Sequence, residues 1–95
     1  IICTTILINL KLSFMKTIIV DVRSVDEFNM DGHAPCSVNY PLDQLESHID
    51  ELRGFDEIIM VCRSGNRVNM AMAMLAAHGI TNVTNKGPWQ NINCN

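Results

Sequence analysis

Cys62 stands at the seam of IIMVCRSGNRVNM (58–70), where an apolar strand-like run gives way to a helix-like run. Directly behind it come Arg63, Ser64, Gly65, Asn66 and Arg67. In a strand–loop–helix turn of this kind the unpaired backbone N–H groups of the helix start point into the loop, and the helix dipole adds positive potential. Gly65 can take backbone angles that let successive N–H groups converge into an anion cradle. Arg63 and Arg67 add formal charge. Each of these features favours a thiolate over a thiol. A cysteine after an apolar strand is by default an inert core residue. A neutral buried thiol gains nothing from this set, so Cys62 reads as a nucleophile with Arg63, Ser64, Gly65, Asn66 and Arg67 as its substrate-binding surround.

Such a cradle suits attack on a phosphate ester or transfer of sulfur. Phosphate chemistry calls for an arginine six positions after the cysteine, closing over the anion, and that position holds Val68 while Arg67 comes one place early. No general acid is evident. The shorter loop makes a tighter cradle, better matched to a single sulfur atom held as a persulfide. A cysteine phosphatase or arsenate reductase is the weaker reading.

The elements that must position this loop can be read from periodicity. TIIVD (17–21) and EIIMV (57–61) are continuous apolar runs of the kind found in strands covered on both faces. Ser24 to Glu27 form a capping box that opens a short helix with Val25 and Phe28 on its apolar side. SVNY (37–40) is a weaker strand, stopped by Pro41. Leu42, Leu45, Ile49 and Leu52 recur at helical spacing before Gly54, and Val68, Ala71, Met72, Leu75 and Ala76 form a second helical stripe that ends at His78 and Gly79. ITNVT (80–84) is the last strand. The alternation predicts an α/β fold, a mostly parallel sheet with helices on both faces. Ligands of such sheets bind beyond the carboxyl ends of the strands, where Cys62 lies.

Ninety-five residues with 47% hydrophobic content allow one domain with one modest core. A net charge of −3 gives no reason to expect nucleic acid or an anionic membrane as partner, so any anion must be drawn by a local patch. Cys3, Cys36, Cys62 and Cys94 show neither metal-like nor disulfide-framework spacing and read as reduced thiols in a cytoplasmic setting, although a Cys3–Cys94 bridge is compatible with their places near the termini. Residues 1–14 are apolar but far short of the ~20 residues that span a bilayer. They read as an extra edge strand or a poorly ordered leader, or else as the remnant of an upstream element, and not as a complete secretory signal. Residues 15–95 carry the domain.

The segments CRSGNR, DVRSVDEF, GHAPCSVNYPL and HGITNV resemble the single-domain rhodaneses, a family of sulfurtransferases, over roughly residues 17–92. The resemblance implies the rhodanese-like three-layer fold and a sulfurtransferase of the thiosulfate type. Cys62 is then expected to take sulfane sulfur from thiosulfate or a similar small anionic donor as a persulfide. It passes that sulfur to cyanide, a thiol or a protein acceptor, with no metal and no organic cofactor. Asp21 and Arg23 match the family's strand-end D-x-R and His33 its GH turn; all three read as structural support of the site. Trp89 is expected to pack on the rim of the site.

The chain also departs from the pattern. The segment between Phe28 and His33 is one residue longer than usual, and Cys36 and Lys86 stand where glycines are common. Val68, in place of a frequent small polar residue, is expected to narrow or dry the cradle entrance, and Lys86 to add charge near it. Cys36 reads as a packing cysteine, or as a resolving thiol if it reaches Cys62. The reading from a different class is a non-catalytic persulfide carrier or binding module.

Overall fold

A computed structural model describes residues 15–95, and the expectations for residues 1–14 lie outside these described residues. Strand β1 (Thr17–Asp21) is built from the β-branched run and pairs in parallel with β3 (Glu57–Cys62), Ile18 opposite Ile58 and Val20 opposite Met60. The short β2 (Val38–Asn39) flanks β1, and β4 (Val83–Pro88) flanks β3. The order is β2-β1-β3-β4, with every pairing parallel. Three helices connect the strands: α1 (Val25–Met30), α2 (Ile49–Leu52), entered through a 3-10 turn at Leu42–His48, and α3 (Asn66–Ala77). This is the α/β class with a parallel sheet that the alternation predicts.

The buried cluster gathers Ile18, Val20, Ile58, Met60 and Cys62 from the strands, Leu45, Ile49 and Leu52 from the second connection, and Val68, Ala71 and Leu75 from α3. In β3 the alternate residues Ile58, Met60 and Cys62 share one face, as the two-residue strand period requires. Cys62 is therefore the last core residue of β3 and the first residue of the loop. At about 25 cal/mol per Å² of apolar area removed from water, burial of each large aliphatic residue here contributes roughly 1.5–3 kcal/mol.

Local chemistry sets where the elements begin and end. Ser24 Oγ accepts from the Glu27 amide at 3.2 Å while the Ser24 amide donates to Glu27 Oε1 at 3.2 Å, so the capping box opens α1 as predicted. Val25 is nevertheless exposed, and Phe28, half-buried, stacks on His33. The periodic segment after Pro41 starts as a 3-10 helix, with the Gln44 amide bonded three residues back to the Pro41 carbonyl. Helix α3 closes where expected: the Ile80 amide returns to the Leu75 carbonyl at 2.9 Å, and Gly79 takes φ +80°. That closure and the bonds from Asn82 Nδ2 to the Phe55 and Asp56 carbonyls hold residues 80–82 as a loop, so the last strand begins at Val83 rather than at Ile80. Met60 pairs with Asn85 but Cys62 with Pro88, a register shift that places Lys86 and Gly87 in a bulge beside the cysteine loop.

The expected thiol pattern needs correction. Cys36 and Cys94 form a disulfide across 58 residues of sequence. Both are exposed, so Cys36 is neither a packing cysteine nor a free resolving thiol, and Cys94 is not available to Cys3. The physical reason is the path of the tail. After Pro88 Trp89 lies against Gly32, where an added Cβ would stand 3.1 Å from the indole, and the tail then brings Cys94 to Cys36, whose amide donates to Cys94 Sγ at 3.2 Å. Cys62 is the free cysteine among the described residues.

Candidate active site

The Cys62 side chain is only 1% exposed, at the floor of the loop that joins β3 to α3. The Gly65 amide donates to Cys62 Sγ at 2.9 Å. Burial pushes the Cys62 thiol up, and the amides of Val68, Ser64, Gly65 and Arg67 outweigh it, leaving the thiol below its ordinary value. The cradle is therefore backbone. It is made possible by Gly65, the residue before α3, at φ +98°, a left-handed conformation that a side chain resists. A Cβ there would also meet Gly87 Cα at 3.2 Å and Asn85 Oδ1 at 3.3 Å. Asn85 braces the loop from β4: its Nδ2 donates to the Gly65 carbonyl and to Asn69 Oδ1, and its Oδ1 accepts from the Gly87 amide.

The arginines behave differently from one another and from a simple positive patch. Arg67 donates from NH1 to Glu27 Oε1 at 2.6 Å and from NH2 to Oε2 at 2.8 Å, a bidentate pair tying the first turn of α3 to the capping residue of α1. Arg67 holds the Glu27 carboxyl well below the usual carboxylate range, and Glu27 in turn reinforces the Arg67 cation. Arg63 points out to solvent, 66% exposed, with NH2 at 3.0 Å from Asp31 Oδ2 and 3.4 Å from Glu27 Oε2. Ser64 contributes its amide to the thiol, and its Oγ accepts from the Asn66 amide at 3.5 Å. The Asn66 side chain is exposed.

Below the loop, Asp21 and Arg23 form a fully buried pair, Arg23 Nε to Asp21 Oδ1 at 3.0 Å and NH2 to Oδ2 at 2.7 Å. Arg23 NH2 also donates to the Gly32 carbonyl at 2.8 Å, and the Trp89 ring lies 5.1 Å from its guanidinium. Every buried polar side-chain atom here has a partner, so the pair stiffens the strand end and ties the Gly32 loop and Trp89 to it. His33 is held by Nδ1 at 2.7 Å from the Phe28 carbonyl and by its stack on Phe28, in the connection between α1 and β2.

The structure thus brings Cys62, Ser64, Gly65 and Arg67 together through the backbone and puts Asp21 and Arg23 beneath them. It moves two expectations. Val68 is fully buried in the core rather than at the cradle entrance, because the first turn of α3 points it inward. The charges of Arg63 and Arg67 are matched by Asp31 and Glu27 rather than left free. Sequence reasoning missed Glu27 as an arginine partner, Asp31 and Asn85. The sequence marks Glu27 only as the carboxylate of the capping box; its pairing with Arg67, 40 residues away, comes from the fold.

Comparison with known proteins shows the family of the domain. Residues 8–86 match the model of the rhodanese-like domain. The chain is 37% identical over 70 residues to a Bacillus subtilis (strain 168) protein named "Putative sulfur carrier protein YrkF", covering 74% of this chain and 37% of that protein. It is 35% identical over 86 residues to the Rhodanese domain-containing protein CG4456 of Drosophila melanogaster, covering 75% of this chain and 77% of the relative. A Raphanus sativus protein named Senescence-associated protein DIN1 is 38% identical over 80 residues, of which 42% of its own length is covered. The chain therefore spans well under half of two of these relatives and about three quarters of the third. An uncharacterized protein from Saccharomyces cerevisiae, solved at atomic resolution, has the same fold, with TM-score 0.60 and 23% identity over 80% of this chain and 74% of that one. On the matched domain and on the fly relative, the chain belongs to the rhodanese-like domain family.

Proposed function

We propose that this protein is a sulfurtransferase of the thiosulfate (rhodanese) type, in which Cys62 carries sulfur as a persulfide. The observation that carries the reading is the Cys62 sulfur at 2.9 Å from the Gly65 amide, in a loop whose N–H groups favour its thiolate. The thiolate attacks the outer sulfur of a sulfane donor, thiosulfate or a similar one. A bond forms between Cys62 Sγ and that sulfur, the donor's S–S bond breaks, and sulfite leaves with the electron pair. The persulfide then yields its outer sulfur to cyanide, a thiol or a protein acceptor and returns the Cys62 thiolate. The cradle amides stabilise the anion in both states. Because the sulfur is almost fully enclosed, the reacting end of a donor must be slim. A terminal sulfur atom meets that demand better than a phosphate ester with three equatorial oxygens.

In this reading Cys62 is the catalytic residue. Val68, Ser64, Gly65 and Arg67 supply amides, Arg63 is the arginine able to turn towards a donor, and Asp21, Arg23 and His33 support the loop. A second reading, a carrier that receives sulfur from a partner protein and hands it on, is favoured by the name of the Bacillus subtilis relative. Among the described residues no helix is long and apolar enough to cross a membrane. Intact-protein mass spectrometry after incubation with thiosulfate tests the proposal. Gain of one sulfur atom, reversed by dithiothreitol and abolished in Cys62→Ser, is the expected result. If loading needs a partner protein, the carrier reading replaces it, and a protein that alkylates at Cys62 but accepts sulfur from no donor ends both.

A further inference from the structure

The Cys36–Cys94 bond takes no part in the chemistry assigned to Cys62, yet it is a second reactive sulfur group, and both of its residues are exposed. Neither belongs to the buried cluster, whose members run from Ile18 to Ile80. Breaking the bond therefore opens no core, and the domain can stay folded when it is cut. Exposed disulfides are the labile ones, because a thiolate needs direct access to one of the sulfurs. The two sulfurs are not equivalent. The Cys36 amide donates to Cys94 Sγ at 3.2 Å, and no hydrogen bond to Cys36 Sγ is found among the described residues. A thiolate that attacks Cys36 Sγ expels Cys94, and the charge developing on the leaving sulfur meets an N–H already aimed at it. Attack at Cys94 Sγ gains no such help.

The bond also fastens the end of the tail. Asn91 Nδ2 donates to the Lys86 carbonyl at 2.8 Å and the Ile92 amide to the Trp89 carbonyl at 3.2 Å, both local to the turn after β4. Past Ile92, among the described residues, the hydrogen bonds are one inside the tail, from the Asn95 amide to Asn93 Oδ1, and the one to Cys94 Sγ. The stretch between is thus pinned at Pro88 by the pairing of β4 and at Cys94 by the disulfide. That stretch carries Trp89 and Gln90, which form one wall of a pocket whose other residues are Arg23, Asp31 and Arg63. The Trp89 ring packs on Gly32 and lies 5.1 Å from the Arg23 guanidinium.

We propose that the Cys36–Cys94 bond is a latch worked by small thiols, which open it by attack at Cys36 Sγ and so release the wall made by Trp89 and Gln90. In the first step a thiolate R–S⁻ bonds to Cys36 Sγ as the Cys36–Cys94 bond breaks. Cys94 leaves with the electron pair and takes a proton from solvent. In the second, another R–S⁻ attacks the R-side sulfur of the mixed disulfide, giving R–S–S–R and the Cys36 thiolate. The two small thiols are oxidised to their disulfide, and the protein bond is reduced by the same pair of electrons. With Cys94 free, the tail is pinned at Pro88 alone, and Trp89 can leave Gly32 and the Arg23 guanidinium for solvent.

The test incubates the oxidised protein, under native conditions, with 2-mercaptoethanol, an uncharged small thiol, and caps free thiols with iodoacetamide at early times. Peptide mapping by mass spectrometry then separates Cys36 and Cys94 from Cys3 and Cys62. A hydrogen bond to a sulfur that becomes charged changes a rate about tenfold, so the mixed disulfide is expected on Cys36 about ten times as often as on Cys94. Trp89 is the one tryptophan of the chain, and its emission reports the tail directly. Reduction is expected to shift that emission to the red and to raise its quenching by acrylamide, with the far-ultraviolet circular dichroism unchanged. Cys36→Ser/Cys94→Ser is expected to match the reduced wild type with no thiol added. A bond that opens only in denaturant overturns the inference. So do adducts shared equally or found mainly on Cys94, and so does a Trp89 signal that ignores reduction. None of these outcomes bears on the persulfide chemistry of Cys62, so the two readings stand or fall separately.

Discussion

Replacing Gly65 by alanine tests the physics of the cradle, because the same glycine shapes the loop and supplies an amide to Cys62 Sγ. At φ +98° a Cβ costs about 1–2 kcal/mol of backbone strain. The new methyl would also stand 3.2 Å from Gly87 Cα, which is backbone and gives way poorly, and 3.3 Å from Asn85 Oδ1. Crowding of that kind adds roughly 1 kcal/mol or more. The sum, about 2–4 kcal/mol, is a large share of the ~4–12 kcal/mol expected for a domain of this size but leaves it folded. Gly79→Ala is the control: φ is +80° there, yet an added Cβ meets nothing within 4 Å, so it should cost about 1–2 kcal/mol from strain alone. Urea denaturation measures both. Alkylation of Cys62 by iodoacetamide as a function of pH then separates them. If Gly65→Ala relaxes by turning its amide from the sulfur, the thiolate loses a charge-assisted bond worth about 1.5–3 kcal/mol, and alkylation at neutral pH slows about tenfold or more. Gly79→Ala should leave the alkylation profile in place. If Gly65→Ala costs no more stability than Gly79→Ala and alkylates like the wild type, the cradle account is wrong.

Two further outcomes concern contacts that the sulfur itself does not make. Glu27 is held below the usual carboxylate range by Arg67, so its stabilisation is complete above the unfolded value near 4.3 and is lost as pH falls below it; Glu27→Gln should lose about 1–2 kcal/mol at neutral pH and flatten the acid limb of a stability–pH curve measured by urea denaturation, and an unaltered limb would remove Glu27 as its source. Closing a 58-residue loop is worth up to about 4 kcal/mol, so Cys36→Ser/Cys94→Ser should lower the denaturation midpoint markedly, and an unchanged midpoint would mean that the Trp89 packing alone holds the tail.

What could be read in advance was whatever is encoded by neighbours in the chain. β1 and β3 announce themselves as β-branched runs, the capping box at Ser24 and Glu27 opens α1, and Gly79 closes α3. The loop from Cys62 to Arg67 carries its chemistry in consecutive residues, and the family resemblance rests on it together with DVRSVDEF, GHAPCSVNYPL and HGITNV. What escaped the reading depends on approach in space. Glu27 and Arg67 are 40 residues apart, Asn85 and Gly65 are 20 apart, and Cys36 and Cys94 are 58 apart. No periodicity brings such pairs together; the β2-β1-β3-β4 order does. The start of β4 differs from the expected one for a related reason: the β-branched Ile80 and Thr81 suit a strand locally, but the Ile80 amide is taken by the closure of α3.

The Cys36–Cys94 bond also changes how the molecule would bear a load. It closes a covalent ring that contains β2, β3, the cysteine loop, α3 and β4, while β1 and α1 lie outside it. Yet β1 is an inner strand, seated between two strands of the ring. Pulled at Met15 and Asn95, the chain transmits force through β1, α1 and the Gly32 loop to Cys36, then directly across the bond to Cys94. Residues 37–93 form a slack bypass. Stretching can draw β1 out of the sheet, but it cannot extend the segment bearing Cys62 until the bond is reduced, so an oxidised molecule should lengthen in one short step and a reduced one should unravel much further.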